Sequence, residues 1–260
     1  MTSLEICPEI TYNVDLLVPN PEIPYYFYRG GVVASEEDLG YISDFNIVNY
    51  GKFYNSGKPD SLLLGIRSFF ASLTSNESAD VIEQVANITY RAIKQVTDIF
   101  DFFNQDALVI IKASPQGDKQ DDQNILQVHA DPCFEYIINE NYMCEDKFAV
   151  SFTLAGQPTY YFNPTLEQAL AFDKITGGEY DFEYSNEINT LYNGSVPQVA
   201  KVGQAMVFKI GPDGAHHAVP SKIDTQRIWV GVFPIDPEYR DFLPEEELEY
   251  LLQRHRKSEL

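Results

Sequence analysis

Between residues 78 and 104 the chain reads SADVIEQVANITYRAIKQVTDIFDFFN. Val81, Ile82, Val85, Ile88, Ala92, Val96, Ile99 and Phe102 recur there mostly at steps of three and four. That period gathers them on one face of an α-helix, and Ser78 or Asn76 offers a side chain able to cap its start. A shorter amphipathic helix is predicted over 61–73. From 107 onward the pattern becomes that of strands: ALVIIKAS (107–114), ILQVHAD (125–131), KFAVSFTLAG (147–156), PTYYFNP (158–164), a strand within 198–211 after a turn at Gly203, and RIWVGVFPI (227–235). Short apolar or alternating runs of this kind are half- or fully buried strands. A short helix is expected over 166–175. A terminal one is expected over 244–260, with Pro244 in its first turn and glutamates at its positive end. Residues 1–60 are irregular and aromatic-rich, with prolines at 19, 21 and 24, and predict only short extended pieces.

Helices, then a run of strands, then a helix is the order of an α+β, mainly β protein with an antiparallel sheet or barrel and helices on one side. The chain does not alternate βαβ, which argues against a Rossmann-type sheet. It carries no internal repeat, P-loop, nucleophile elbow or CxxC pair. A single domain over 1–260 is expected, with an irregular and helical scaffold (1–106), a β core (107–235) and a C-terminal helix (236–260). Two polar stretches, 116–124 and 177–194, have the length of active-site lids or of surface loops. In the second, Tyr180, Phe182 and Tyr184 fit an alternating strand as well as an aromatic lid.

Composition narrows the class of partner. The chain of 260 residues holds 18 Lys plus Arg against 39 Asp plus Glu, a formal charge of -21. Such a surface repels phosphate backbones and anionic lipid, so neither nucleic acid nor membrane is an expected partner. No run approaches the eighteen or so apolar residues of a membrane span. The 17 Tyr and 17 Phe suit β-rich cores and pockets. Three cysteines (Cys7, Cys133 and Cys144) without paired spacing, and an N-terminus without a secretory pattern, predict a reducing, cytoplasmic setting. The sequons at Asn76, Asn87 and Asn193 then carry no meaning, and the C-terminal KSEL has little support as a retention signal.

The chemistry concentrates in few residues. Of four histidines, His129, His216 and His217 lie in two β-flanked segments, VHAD and GAHHAVP, while His255 falls in the charged C-terminal helix. His129 and Asp131, two apart on a strand, project to one face. An imidazole and a carboxylate so placed are two thirds of a 2-His-1-carboxylate triad, which leaves one face of an iron open for co-substrate and O2. The third ligand has to come from a distant strand, and His216 and His217 compete for that role. Arg227 heads the following strand, where a guanidinium can grip a carboxylate with two parallel hydrogen bonds. The plainer alternatives are a wet strand face for the His129/Asp131 pair, a hydrogen-bonded turn histidine, and an exposed strand-end charge.

His129-Ala130-Asp131, the strand Gly203-Gln204-Ala205-Met206-Val207-Phe208, His217-Ala218-Val219 and then Arg227 resemble, in that order, the Fe(II)/2-oxoglutarate-dependent dioxygenase superfamily. The likeness covers roughly 107–235 and its spacing is closest to the phytanoyl- and prolyl-hydroxylase-like branches. It departs from the penicillin-synthase-like branch, where a serine follows two residues after the arginine; here that position is Trp229. The resemblance implies a double-stranded β-helix (jelly-roll, cupin-like) core with flanking helices. It implies Fe(II) on His129, Asp131 and His217, with Arg227 on the distal carboxylate of 2-oxoglutarate. The activity implied is hydroxylation, or another oxidation, of a small molecule or side chain by O2, with succinate and CO2 as co-products. Tyr161 or Tyr160, Ser151 and Thr153 are expected to help hold the co-substrate, and Trp229 to line the pocket. Two rival readings remain at this point: a non-catalytic domain of the same fold that binds a ligand or protein through 177–194, and a cupin-like metal enzyme without 2-oxoglutarate. A His-Asp-Cys zinc site through Cys133 is opposed by Pro132 and the lack of a fourth ligand.

Overall fold

The computed structural model describes residues 28–56, 59–99, 107–116, 128, 148–162, 164–176, 186–210, 216–218 and 225–236. Among the described residues nine strands fall in two antiparallel sheets: β1 (Tyr28–Val32), β2 (Gly51–Ser56), β3 (Ala107–Ser114), β4 (Phe148–Ala155), β5 (Thr159–Tyr161), β6 (Gln198–Val199), β7 (Gln204–Lys209), β8 (His216–Ala218) and β9 (Arg227–Pro234). The large sheet has the order β1-β7-β4-β9-β3-β2, and the small one β6-β5-β8. From β4 on, the chain visits the large sheet, the small sheet twice, the large, the small and the large again. Strand neighbours are therefore mostly remote in sequence. The molecule is α+β with antiparallel pairing throughout, as the order of sequence patterns predicts.

The helices are α1 (Glu36–Asp44), α2 (Pro59–Leu73), α3 (Ala79–Ile99), α4 (Leu166–Thr176) and α5 (Asn186–Leu191). Helix α3 follows its apolar stripe: Val85, Ile88, Ala92 and Val96 are buried, and the Val81 amide donates to Ser78 Oγ at 3.3 Å. Helix α1 lies in a region whose sequence pattern predicts only extended pieces. Its signal is local: Ser35 Oγ accepts from the Asp38 amide (3.1 Å) while Asp38 Oδ2 accepts from the Ser35 amide (3.2 Å), a capping box written as Ser-Glu-Glu-Asp. Thr165 and Gln168 close the same reciprocal pair at the start of α4. Part of the supposed loop 177–194 is the helix α5, held because Ile188 and the following Tyr192 are buried against Phe162 and Phe172. The expected C-terminal helix, the loop 117–124 and most of the strand 125–131 lie outside the described residues. No described helix is long and apolar enough to cross a membrane.

Both faces of the large sheet are covered, and side-chain parity separates them. Ile111 on β3, Val150 and Phe152 on β4, and Ile228, Val230 and Val232 on β9 join α1, α2 and α3 in one core. The opposite parity forms a second core, in which Leu108, Met206, Phe208, Trp229 and Phe233 meet Tyr161 of the small sheet. A third, smaller cluster packs Val128 and Phe162 against α4 and α5. Burial of a large apolar side chain stabilises by about 1.5–3 kcal/mol, so this double coverage is what holds the strands in register.

The turn from β4 into β5 is clamped onto β9. Gly156 has φ +80°, and a Cβ there would stand 2.5 Å from the Gln226 carbonyl oxygen and 3.1 Å from the Arg227 Cβ. Gly156→Ala is therefore expected to lower stability by about 2 kcal/mol or more, from the left-handed backbone and the backbone clash together. Chemical denaturation of both proteins measures it, and Gly194→Ala is the control: Gly194 has φ +85° with open space around it. It should lose only the backbone part, about 1 kcal/mol.

Candidate active site

The second core changes character along the strands. Leu108 pairs with Phe233 at one end of β3 and β9, and Ser114 pairs with Arg227 at the other. Between them Lys112 stands opposite Trp229, which in turn stands opposite Thr153 of β4. Ser114, Ser151, Thr153 and Thr159 are the polar residues buried on or beside this face. The face the large sheet turns to the small one is thus apolar at one end and rich in hydroxyls and cations at the other. A register shift between Thr153 and Ala155 accommodates the change where β4 meets the head of β9.

Arg227 is half-buried there, and its side chain reaches across to the small sheet. Nε donates to the Gln157 carbonyl oxygen at 3.1 Å and Nη2 donates to Thr159 Oγ1 at 3.0 Å. Hydrogen bonds from a charged donor contribute about 1.5–3 kcal/mol each, enough to hold the guanidinium plane against rotation. Thr159 is itself buried, and its backbone pairs with Ala218 of β8. One residue on, Tyr160 pairs with His217, and Tyr161 pairs with His216. The three-residue strand β5 therefore joins the arginine at the head of β9 to the two histidines of β8.

The expected residues fall into three groups. Arg227 and the backbones of His216 and His217 are brought together through β5. Tyr161, Ser151, Thr153 and Trp229 occupy the face between the sheets. Tyr161 is fully buried, its ring centroid 5.0 Å from that of Phe208, and its hydroxyl is hydrogen-bonded to Ser151 Oγ. His129, Asp131 and Cys133 lie outside the described residues. Val128, next to them in sequence, is buried, and its amide donates to Asn189 Oδ1 at 3.2 Å. Among the described residues no three His, Cys, Asp or Glu side chains gather as a metal site.

Two residues that contact Arg227 escape a reading of sequence alone. Gln157 and Thr159 hold the guanidinium, but the contacts span 70 and 68 positions, and nothing local marks them. Lys112 does leave a trace. In ALVIIKAS it shares parity with Leu108 and Ile110, so a charge interrupts an otherwise apolar face.

The chain matches no family model and no curated protein. Among solved structures it is similar to a prolyl-4-hydroxylase of Pseudomonas putida, with a TM-score of 0.33, 9% identity, and coverage of 82% of this chain and 94% of that one. It is also similar to HygX of Streptomyces hygroscopicus, solved with nickel and 2-oxoglutarate bound, with a TM-score of 0.37, 9% identity, and coverage of 86% and 88%. Likeness at this level carries no argument about chemistry, which has to be made from this chain's own residues.

Proposed function

We propose that the protein is an Fe(II)- and 2-oxoglutarate-dependent oxygenase with a double-stranded β-helix core. The observation that carries the reading is the convergence on β5: Arg227 donates to Thr159, and the same three-residue strand pairs along its length with β8, which bears His216 and His217. A guanidinium oriented by a carbonyl and a hydroxyl, beside a strand bearing imidazoles, fits a site that takes an anionic co-substrate next to a metal. The strand order supports the core assignment, since a chain that moves repeatedly between two facing antiparallel sheets is the path of a jelly roll.

In this reading His129, Asp131 and His217 hold the iron and Arg227 holds the distal carboxylate of 2-oxoglutarate. When bound, the pair would supply the oxidising chemistry: O2 is reduced as 2-oxoglutarate is converted to succinate and CO2 and the substrate is oxidised. The chain's own part is orientation and exclusion. Gln157 and Thr159 fix the guanidinium plane, so the co-substrate meets it without reorganisation. Trp229, Phe208 and Phe233 pack the apolar end of the face between the sheets and keep water from it. Ser151 and Tyr161, hydrogen-bonded to each other, brace the two sheets across the same face.

Anaerobic titration tests the reading. Fe(II) followed by 2-oxoglutarate should give a weak visible charge-transfer band. Metal binding without that band favours a cupin-like metal enzyme, and absence of metal binding favours a non-catalytic domain. Arg227→Ala should keep iron and weaken 2-oxoglutarate affinity by about tenfold or more, the worth of one charge-assisted pair.

A separate pair of variants assigns the distal ligand. His217→Ala should abolish stoichiometric Fe(II) binding, measured by metal analysis after desalting, and His216→Ala should retain it. The second variant is the necessary control, because His216 is the register partner of Tyr161, which lies in the core between the sheets. Loss of iron from His216→Ala alone transfers the ligand role to that residue.

A further inference from the structure

A cleft of about 710 Å³ opens where the end of α1 meets the turn from β4 into β5. Its walls come from residues 43–47 after α1, residues 154–157 of the turn and the two residues before β9. Small-molecule sites have this size. The cleft adjoins Arg227 without being lined by it: Gln157 gives its side chain to the cleft and its carbonyl oxygen to Arg227 Nε.

The cleft is built of acceptors. Asp44 is the last residue of α1, is exposed, and stands in a final turn that holds no basic residue. A carboxylate there meets the negative end of the helix dipole, where a cation is favoured and an anion is not. No described residue pairs with it. Gln157 is half-buried, and its amide oxygen is enclosed without a hydrogen-bond partner. An acceptor taken from water and given no donor carries a desolvation cost that nothing returns. The last side-chain bond of a glutamine is soft and nearly two-fold, so the amide can turn its oxygen to a donor entering the cleft. No Lys, Arg or His is among the described residues that line it, and the whole chain has a formal charge of -21. A concave surface of one sign in such a field concentrates counter-ions. Leu39, Leu154 and Val202 add apolar wall beside the acceptors.

We infer that this cleft binds an organic cation, an alkylammonium ion. Its N–H donors answer the Asp44 carboxylate and the Gln157 amide, and its hydrocarbon stem lies on Leu39, Leu154 and Val202. The site is separate from the grip of Arg227 on a carboxylate and stands whether or not the protein is an oxygenase.

Backbone-amide NMR of the full-length protein tests it, with n-butylammonium chloride as the probe and 1-butanol as its uncharged counterpart. The salt is held at about 0.15 M, where charges more than about 8 Å apart are largely screened. Butylammonium should shift the signals of residues 43–47 and 154–157 saturably, with a Kd about tenfold below that of butanol. Asp44→Asn should bring the two Kd values together. Its unfolding midpoint should not fall, because the carboxylate opposes the helix dipole, so lost binding is not lost fold. Glu37→Gln removes the same charge about two turns away on α1 and should leave the difference intact. Gln157→Ala, which keeps the main-chain carbonyl, should weaken butylammonium binding about threefold. Equal binding of butylammonium and butanol overturns the inference, as does a preference that survives Asp44→Asn. An equal loss in Glu37→Gln, or shifts spread over the acidic surface without saturation, also overturns it, since the cation then follows net charge and not the cleft.

Discussion

Everything in this molecule depends on one sheet being buried on both faces. With helices α1 to α3 on one side and a second sheet on the other, the central strands β3, β4 and β9 have almost no solvent face on which to place polar side chains. Parity along each strand then has consequences. Even positions of β9 must be apolar to meet the helices, and odd positions must suit whatever the two sheets enclose. The helix side meets the rule with mostly aliphatic and phenylalanine side chains. The enclosed side breaks it, with Ser114, Ser151, Thr153, Lys112 and Arg227 where hydrophobic residues would pack at lower cost. Buried hydroxyls and half-buried charges in an otherwise apolar core mark that face as the candidate for chemistry.

The two cationic features of that face differ in how they are held. Arg227 is oriented by hydrogen bonds from its own guanidinium to backbone and hydroxyl oxygens of the β4–β5 connection. Lys112 is placed by strand register opposite Trp229, and its ammonium lies 5.1 Å from the indole centroid. The first arrangement defines a direction; the second leaves the charge on a flexible stem.

Much of the fold was legible because it rests on local periodicity. The stripe of α3, the strands β3, β4, β7 and β9, the turn at Gly203 (φ +79°) and the helix α4 all follow from spacing and turn chemistry. Helix α1 was hidden behind its weakly apolar sequence, although its capping box was written in four residues. Helix α5 was hidden because Ile188 and Tyr192 become core only once Phe162 and Phe172 are beside them. The candidate site stands out in the sequence where chemistry is rare in the chain: few histidines, and one arginine heading a strong strand. Gln157 and Thr159 do not, since a carbonyl and a hydroxyl gain their roles only when β9 folds back against β5. His129 and Asp131 rest on sequence alone.

Gln226 shows how far the site reaches. Its amide nitrogen donates to the carbonyl oxygens of Ile42 and Ser43 at 3.3 and 3.2 Å, and its oxygen accepts from the Ile47 amide at 3.2 Å. One side chain, adjacent in sequence to Arg227, thereby closes the exit of α1 and the approach to β2. Drift in the sequence of that early segment is constrained from a distance, because any new path must still offer three backbone groups to the same amide. The scaffold and the face that carries Arg227 are bound to evolve as a unit.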